Sequence, residues 1–178
     1  MGTPRRLYPI DLYHRLMSAD PRVLEALDEA GVTYEIMDCD PDLADTAEFC
    51  RAYGVDPSES ANAILVASRR PPGEQALCVA LATTRLDVNG LVRKRLGVRK
   101  VSFAPADLTR EVTGMEIGGV TVPGLPPGLP VWVDAAVATT PSVVIGAGTR
   151  SAKIRLSGSD LGSLPGVEVV DDLAVPAA

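Results

Sequence analysis

Histidine is almost missing from this sequence: 178 residues contain one, His14. That excludes histidine-based nucleophilic triads elsewhere in the chain, H-E-x-x-H zinc helices and multi-histidine metal sites, and no metal site is expected. His14 reads as a surface or packing residue of a polar N-terminal helix. Cysteine is scarce and odd in number. Cys39, Cys50 and Cys78 are too widely spaced for a disulfide framework or a zinc cluster, so they read as reduced, buried thiols of a cytoplasmic protein. Aromatic residues make up 4% of the chain, which leaves the core to Val, Leu, Ile and Ala. No apolar run reaches the ~18 residues of a membrane span, and Asp134 breaks the longest candidate, 129–145. Arg5-Arg6 is followed too soon by Pro9 and Asp11 to open a secretory leader. G-x-x-x-x-G-K-[ST] is absent, and Gly146-Ala147-Gly148 sits between two strand-like runs, so nucleotide-binding fingerprints are excluded. The net charge of −6 argues against a general nucleic-acid coat protein but leaves room for a local basic patch.

The remaining 46% hydrophobic and 22% charged residues describe one ordinary globular domain over 1–178. Asp20, Pro21 and Gly31 punctuate a helix, with Val23, Leu24 and Leu27 on its apolar face. Alternation predicts a strand from Val32 to Met37, and Asp45 to Gly54 reads as a second helix. Ala61–Ser68 and Ala76–Thr83 read as strands joined through Pro71-Pro72-Gly73. Leu86–Leu96 predicts a helix stopped by Gly97, and Thr109–Val112 a helical turn. Thr113 to Pro130 is a long Gly- and Pro-rich loop, the kind of loop that carries function in compact domains. Val131–Ala135, Ser142–Ile145 and Ala152–Leu156 read as strands, with a last helical turn at Asp160–Leu164. The mixture of hairpins and helices predicts an α+β fold on a mainly antiparallel sheet.

Two segments carry candidate chemistry. Thr113-Gly114-Met115-Glu116-Ile117-Gly118-Gly119-Val120 can bring backbone amides close to an anion or a carbonyl, or can be a plain connection with turn glycines. Arg93-Lys94-Arg95 with Arg99-Lys100 places five cations in eight residues, suited either to a phosphate backbone or to complementing a helix C-terminus.

The order of segments resembles the YbaK / prolyl-tRNA-synthetase-associated editing domain family over about residues 23–173, with 1–20 as an N-terminal extension. The stretches that carry it are Ser60-Ala61-Asn62-Ala63-Ile64-Leu65-Val66, Leu86-Asp87-Val88-Asn89, Leu96-Gly97-Val98-Arg99-Lys100-Val101, Gly118-Gly119-Val120, Pro130 to Ala135, and Gly146-Ala147-Gly148-Thr149-Arg150-Ser151-Ala152-Lys153-Ile154. The resemblance implies a mixed sheet curled into a partial barrel with flanking helices. It further implies a pocket that hydrolyses the ester of a wrongly charged tRNA without a cofactor. Aminoacyl-tRNA is the implied partner, with an aminoacyl-tRNA synthetase as a second candidate and no membrane. In these terms Gly118, Gly119, Val120, Thr121, Asp134, Gly146, Gly148 and Ser151 would bind substrate, and Arg93, Lys94, Arg95, Arg99 and Lys100 would contact the tRNA. Three departures stand out. The family's pocket lysine falls on Asn62, its GxxxP loop is stretched to Gly118–Pro123, and Lys153 stands where many members have an acidic residue or histidine. Lys153 is one of only three lysines, which suggests that it replaces the missing cation while Asn62 hydrogen-bonds the substrate. Strand alternation alone would instead put Lys153 beside Arg155 on a polar face. A module that binds aminoacyl-tRNA or a small ligand without turnover, or an esterase for smaller acyl esters, fits the same residues.

Overall fold

A computed structural model describes residues 18–177, so His14 and most of the N-terminal extension lie outside the described residues. Helix α1 (Pro21–Glu29) begins where the Asp20 carboxylate accepts from the Arg22 amide, and it buries Val23, Leu24 and Leu27. Strand β1 (Tyr34–Asp38) follows, then α2 (Thr46–Tyr53), which ends at Gly54 in the left-handed conformation. The hairpin β2 (Ala61–Arg70) and β3 (Pro72–Leu81) is longer than its apolar centre suggested, running to the turn itself. Leu86 ends a short strand, β4 (Thr84–Leu86), instead of starting a helix. The Asp87 carboxylate then caps a π-helical turn (Val88–Val92) that leads into α3 (Arg93–Leu96).

Strand β5 (Lys100–Phe103) and a full helix, α4 (Ala106–Thr113), come next, where the residue pattern predicted only a helical turn. Residues 114–130 form no helix or strand, as their glycines and prolines predicted. The rest of the chain is β6 (Val131–Asp134), α5 (Ala135–Thr139), β7 (Val143–Gly146), β8 (Ala152–Leu156), α6 (Gly158–Gly162), β9 (Val167–Val170) and β10 (Ala174–Pro176).

The result, among the described residues, is a mixed α+β fold with three sheets, ordered β5-β2-β3-β6-β9, β1-β8-β7 and β10-β4. Five of the seven strand pairings are antiparallel, and β3-β6 and β6-β9 are parallel. Among the described residues none of the three sheets closes on itself, and the strand orders give no support to the curling into a partial barrel that the resemblance implies. The five-stranded sheet is covered on both faces. Leu65, Leu77 and Val79 pack with α1, β7 and β8, whereas Val66, Ala76 and Cys78 pack with Trp132, Val92 and Leu173. A third small core holds Phe49, Cys50, Cys39 and Val144 between α2 and β7. Among the described residues no helix is long and apolar enough to cross a membrane.

Candidate functional site

The edge of β2 is split. Its C-terminal half pairs with β5 from Val66 onward, and Ser60, just before its first residue, bridges Val144 of β7 in parallel. Between these two contacts lies a cavity of about 420 Å³, walled by Ser60 through Leu65, by Ala104, Ala106 and Thr109, and by Val144 to Gly146. Its other walls are Ala44, Asp45, Thr46 and Phe49 from the start of α2, Ile117, Gly118 and Val120 from the glycine loop, and Lys153 of β8.

Lys153 is not on a solvated face. It is 7% exposed, and its Nζ donates to the carbonyls of Ala44 and Gly118, each at 2.7 Å, with the Phe49 ring centroid 5.4 Å away. Burial pushes its ammonium below the usual lysine value, and the neighbouring Cys39 acts in the opposite direction. An ammonium has three N–H groups, so one remains for a ligand. Asn62 faces the same cavity. Its Oδ1 accepts from Thr46 Oγ1 at 2.5 Å, which leaves its amide nitrogen as the group able to donate.

The glycine loop is held from behind. Gly118 has φ +89°, a conformation that disfavours any side chain, and a Cβ there would stand 2.3 Å from Arg150 Nη1. A Cβ at Gly119 would stand 2.2 Å from the Thr149 carbonyl oxygen, and one at Gly146 2.4 Å from the Gly119 carbonyl oxygen. Backbone therefore lies directly on backbone where the loop crosses β7, and the Gly148 amide donates to the Gly119 carbonyl at 2.7 Å. Arg150, a residue to which sequence reasoning gave no role, ties three segments together. It donates to the Pro41 carbonyl (2.8 Å), the Ile117 carbonyl (2.9 Å) and the Asp45 carboxylate (3.1 Å). Its place beside the glycine bend was the signal available. Thr46 and Phe49, also unassigned, lay hidden inside a plain helix reading.

The structure thus brings Asn62, Gly118, Val120, Gly146 and Lys153 to one cavity, with Gly119 and Gly148 immediately behind its wall. Thr121 is buried, with no partner for its hydroxyl among the described residues. The Ser151 carbonyl accepts from Cys39 N, and Ser151 does not line the cavity. Asp134 is elsewhere and structural, accepting from Ala136 N to cap α5 and from Ala174 N to hold β10, each at 2.9 Å.

Of the five basic residues, Arg99 and Lys100 lie beside the far end of β2, where the Arg99 amide donates to the Arg70 carbonyl, and Arg93, Lys94 and Arg95 belong to α3. Lys94, Arg99 and Lys100 are exposed, while Arg93 bonds the Asn89 carbonyl. Arg95 pairs with Glu168 at 2.5 Å and lies 4.9 Å from the Trp132 ring centroid. Register adds two cations the linear sequence did not associate with them, because Arg70 pairs with Lys100 and Arg69 bonds Ser102.

Residues 40–164, which include every residue lining the cavity, match the family model of the aminoacyl-tRNA editing domain. Among solved structures, hypothetical protein APE2540 is similar at 26% identity and a TM-score of 0.76, covering 86% of this chain and 99% of its own. A protein proposed to be a trans-editing enzyme for prolyl-tRNA synthetase is similar at 25% identity and a TM-score of 0.72, covering 85% of this chain and 96% of its own. A proposed signal transduction protein from Marinobacter aquaeolei shares the fold, at 18% identity and a TM-score of 0.61. It covers 88% of this chain and 31% of its own.

Proposed function

We propose, because this chain belongs to the aminoacyl-tRNA editing domain family, that it acts in trans as a deacylase, hydrolysing the ester of a mischarged tRNA in the β2-edge cavity. The observation that carries this reading is the convergence of hydrogen-bond donors on a small cavity whose walls, among the described residues, contain no histidine or cysteine. Chemistry there rests on polarising a carbonyl, not on a covalent intermediate through a thiol or an imidazole. Water adds its oxygen to the ester carbonyl carbon. The bond to the tRNA 3′-oxygen then breaks, one water proton passes to that oxygen, and the acid is released as the free amino acid. Charge gathering on the carbonyl oxygen meets the backbone amides of Gly118 and Val120, the Asn62 amide and the remaining N–H of Lys153, while the Gly119 amide is spent on the Glu116 carbonyl. Losing one such donor typically costs about 10²–10³ in rate.

Lys153 also acts as a brace, because its two bonded carbonyls join the glycine loop to the start of α2. Small walls at Ala44, Ala61, Ala63, Ala104 and Ala106 favour small acyl side chains, and each methylene that fails to fit discriminates by about 10–200-fold. Proline tRNA is the acceptor to test first, given the relative described as serving prolyl-tRNA synthetase. The basic strip would hold the tRNA backbone, and residues 1–178 would work as one editing unit that needs no cofactor.

The replacement of the usual lysine by Asn62 favours one competing reading, a pocket that binds without turnover. A panel of Ala-, Cys- and Ser-charged tRNAs separates the two. Turnover by the unmodified protein supports the deacylase. Turnover only after Asn62→Lys would assign a binding module and overturn it.

A further inference from the structure

Six consecutive residues, Ser60 to Leu65, line the cavity. Side chains of a strand alternate between faces, so an unbroken run of lining residues means that the strand offers its edge. The hydrogen-bond phase of that edge follows from the register. The Ala82 amide donates to the Ser60 carbonyl, and the β2-β3 pairing keeps the same register from Ala61 to Ala67. Ser60, Asn62, Ile64 and Val66 therefore exchange bonds with β3, and Ala61, Ala63 and Leu65 turn their N–H and C=O groups to the opposite side. Leu65 confirms the phase, because its carbonyl accepts from Ala104 N at 2.9 Å. Continuing the same antiparallel ladder would place residue 106 opposite Ala63. The chain leaves the sheet at Pro105, however, and Ala106 is the first residue of α4. Ala63 is left with its N–H and C=O turned to the cavity side of β2 and no β5 residue opposite them.

We propose that the aminoacyl group of the substrate docks on Ala63 as a one-residue β-strand. In an antiparallel hydrogen-bonded pair, one residue uses its own N–H and its own C=O to bond the same residue opposite. An amino acid esterified to tRNA offers the equivalent pair, an α-ammonium as donor and an ester carbonyl as acceptor. The Ala63 carbonyl accepts from the α-ammonium, and the Ala63 N–H donates to the ester carbonyl beside the donors of the glycine loop. Recognition then reads the backbone of the amino acid and leaves its side chain to the alanine-lined walls. Strand addition to an open edge is a recurrent way of binding extended chains. Here the open edge is short enough for one residue, since β5 closes it at one end and β7 at the other.

The inference rests on the editing reading, and its test keeps the two apart. Alanyl-tRNA and propionyl-tRNA, which lacks only the α-amino group, are compared as substrates, together with the variant Ala63→Pro. Proline deletes the cavity-facing N–H without touching a bond to β3, and circular dichroism checks that the variant folds. The docking mode predicts a loss of about 10- to 100-fold in kcat/KM for the propionyl ester, the range for removing a charged hydrogen bond, and a comparable loss for a folded Ala63→Pro. Equal rates on the two esters would overturn it while leaving editing intact.

Binding of 3′-alanylamino-3′-deoxyadenosine, followed at the 15N-labelled amide of Ala63, covers the case of no turnover. A shift of that resonance, with weaker binding of the propionyl analogue that keeps the carbonyl but lacks the α-amino group, supports the docking mode even if the deacylase reading falls. An unmoved resonance on saturation overturns it.

Discussion

Lys153 is where charge, burial and the proposed chemistry meet in a single residue. A buried ammonium is costly unless its donors are satisfied, and two carbonyls and an aromatic face do this here. Its lowered pKa has a direct consequence for stability. The folded chain gives up the Lys153 proton at lower pH than the unfolded chain, whose lysine titrates near 10.5. In the window just below 10.5 the unfolded state therefore binds more protons, and this residue's contribution makes stability rise with pH. Cys78 has the opposite sign, because burial pushes its thiol up to about 12, so its contribution falls as pH climbs past 9.0. Urea titrations of the unmodified chain and Lys153→Met between pH 8 and 10 isolate the lysine, and the rise attributed to it should vanish in the variant. Arg150 makes a different prediction. Arg150→Lys keeps a charge but cannot reach the Pro41, Ile117 and Asp45 oxygens together, so kcat should fall about tenfold or more with KM changed less. An unchanged kcat in steady-state deacylation would show that the loop stands without it.

At the scale of elements, the punctuation of the chain was legible wherever a cap or a glycine wrote it. Asp20 with Pro21 set the start of α1, and Gly54 set the end of α2. Reading failed where long-range pairing decided the outcome. Leu86 looked helical but pairs with Ala174 in β4-β10, and Val167–Val170 becomes a strand because β6 lies beside it. The candidate site was half legible for the same reason. Gly118 could be picked from its glycine-rich loop, and Asn62 and Lys153 as departures from the family it resembles, whereas the split edge at Ala63 exists only once β5 and β7 are in register with β2. Asp134 illustrates the converse. It sits in a family-like stretch, yet its carboxylate accepts from two backbone amides and does not line the cavity. Asp134→Ala should lower stability by about 1–3 kcal/mol and Tm by several degrees, with kcat/KM on alanyl-tRNA unchanged when measured well below the melting range.

For the whole molecule, one end of β2 forms the cavity and the other end carries Arg70, Arg99 and Lys100, so a single strand links the reacting ester to a basic surface. On the proposed reading, a chain of net charge −6 would meet an anionic partner through one local strip. Replacing Arg99 and Lys100 by alanine should weaken tRNA binding and flatten its salt dependence by up to about 0.9 per lost phosphate contact. Hydrolysis of a minimal aminoacyl-adenosine ester should be unaffected by that change. The central claim is that the cavity with Lys153 in its wall cleaves an aminoacyl ester. Single-turnover deacylation of alanyl-tRNA for proline by the unmodified protein, Lys153→Ala and Lys153→Met tests it most directly. The account predicts turnover by the first and a loss of at least about 100-fold in both variants, with each still folded. Full activity in a folded Lys153→Met would contradict it.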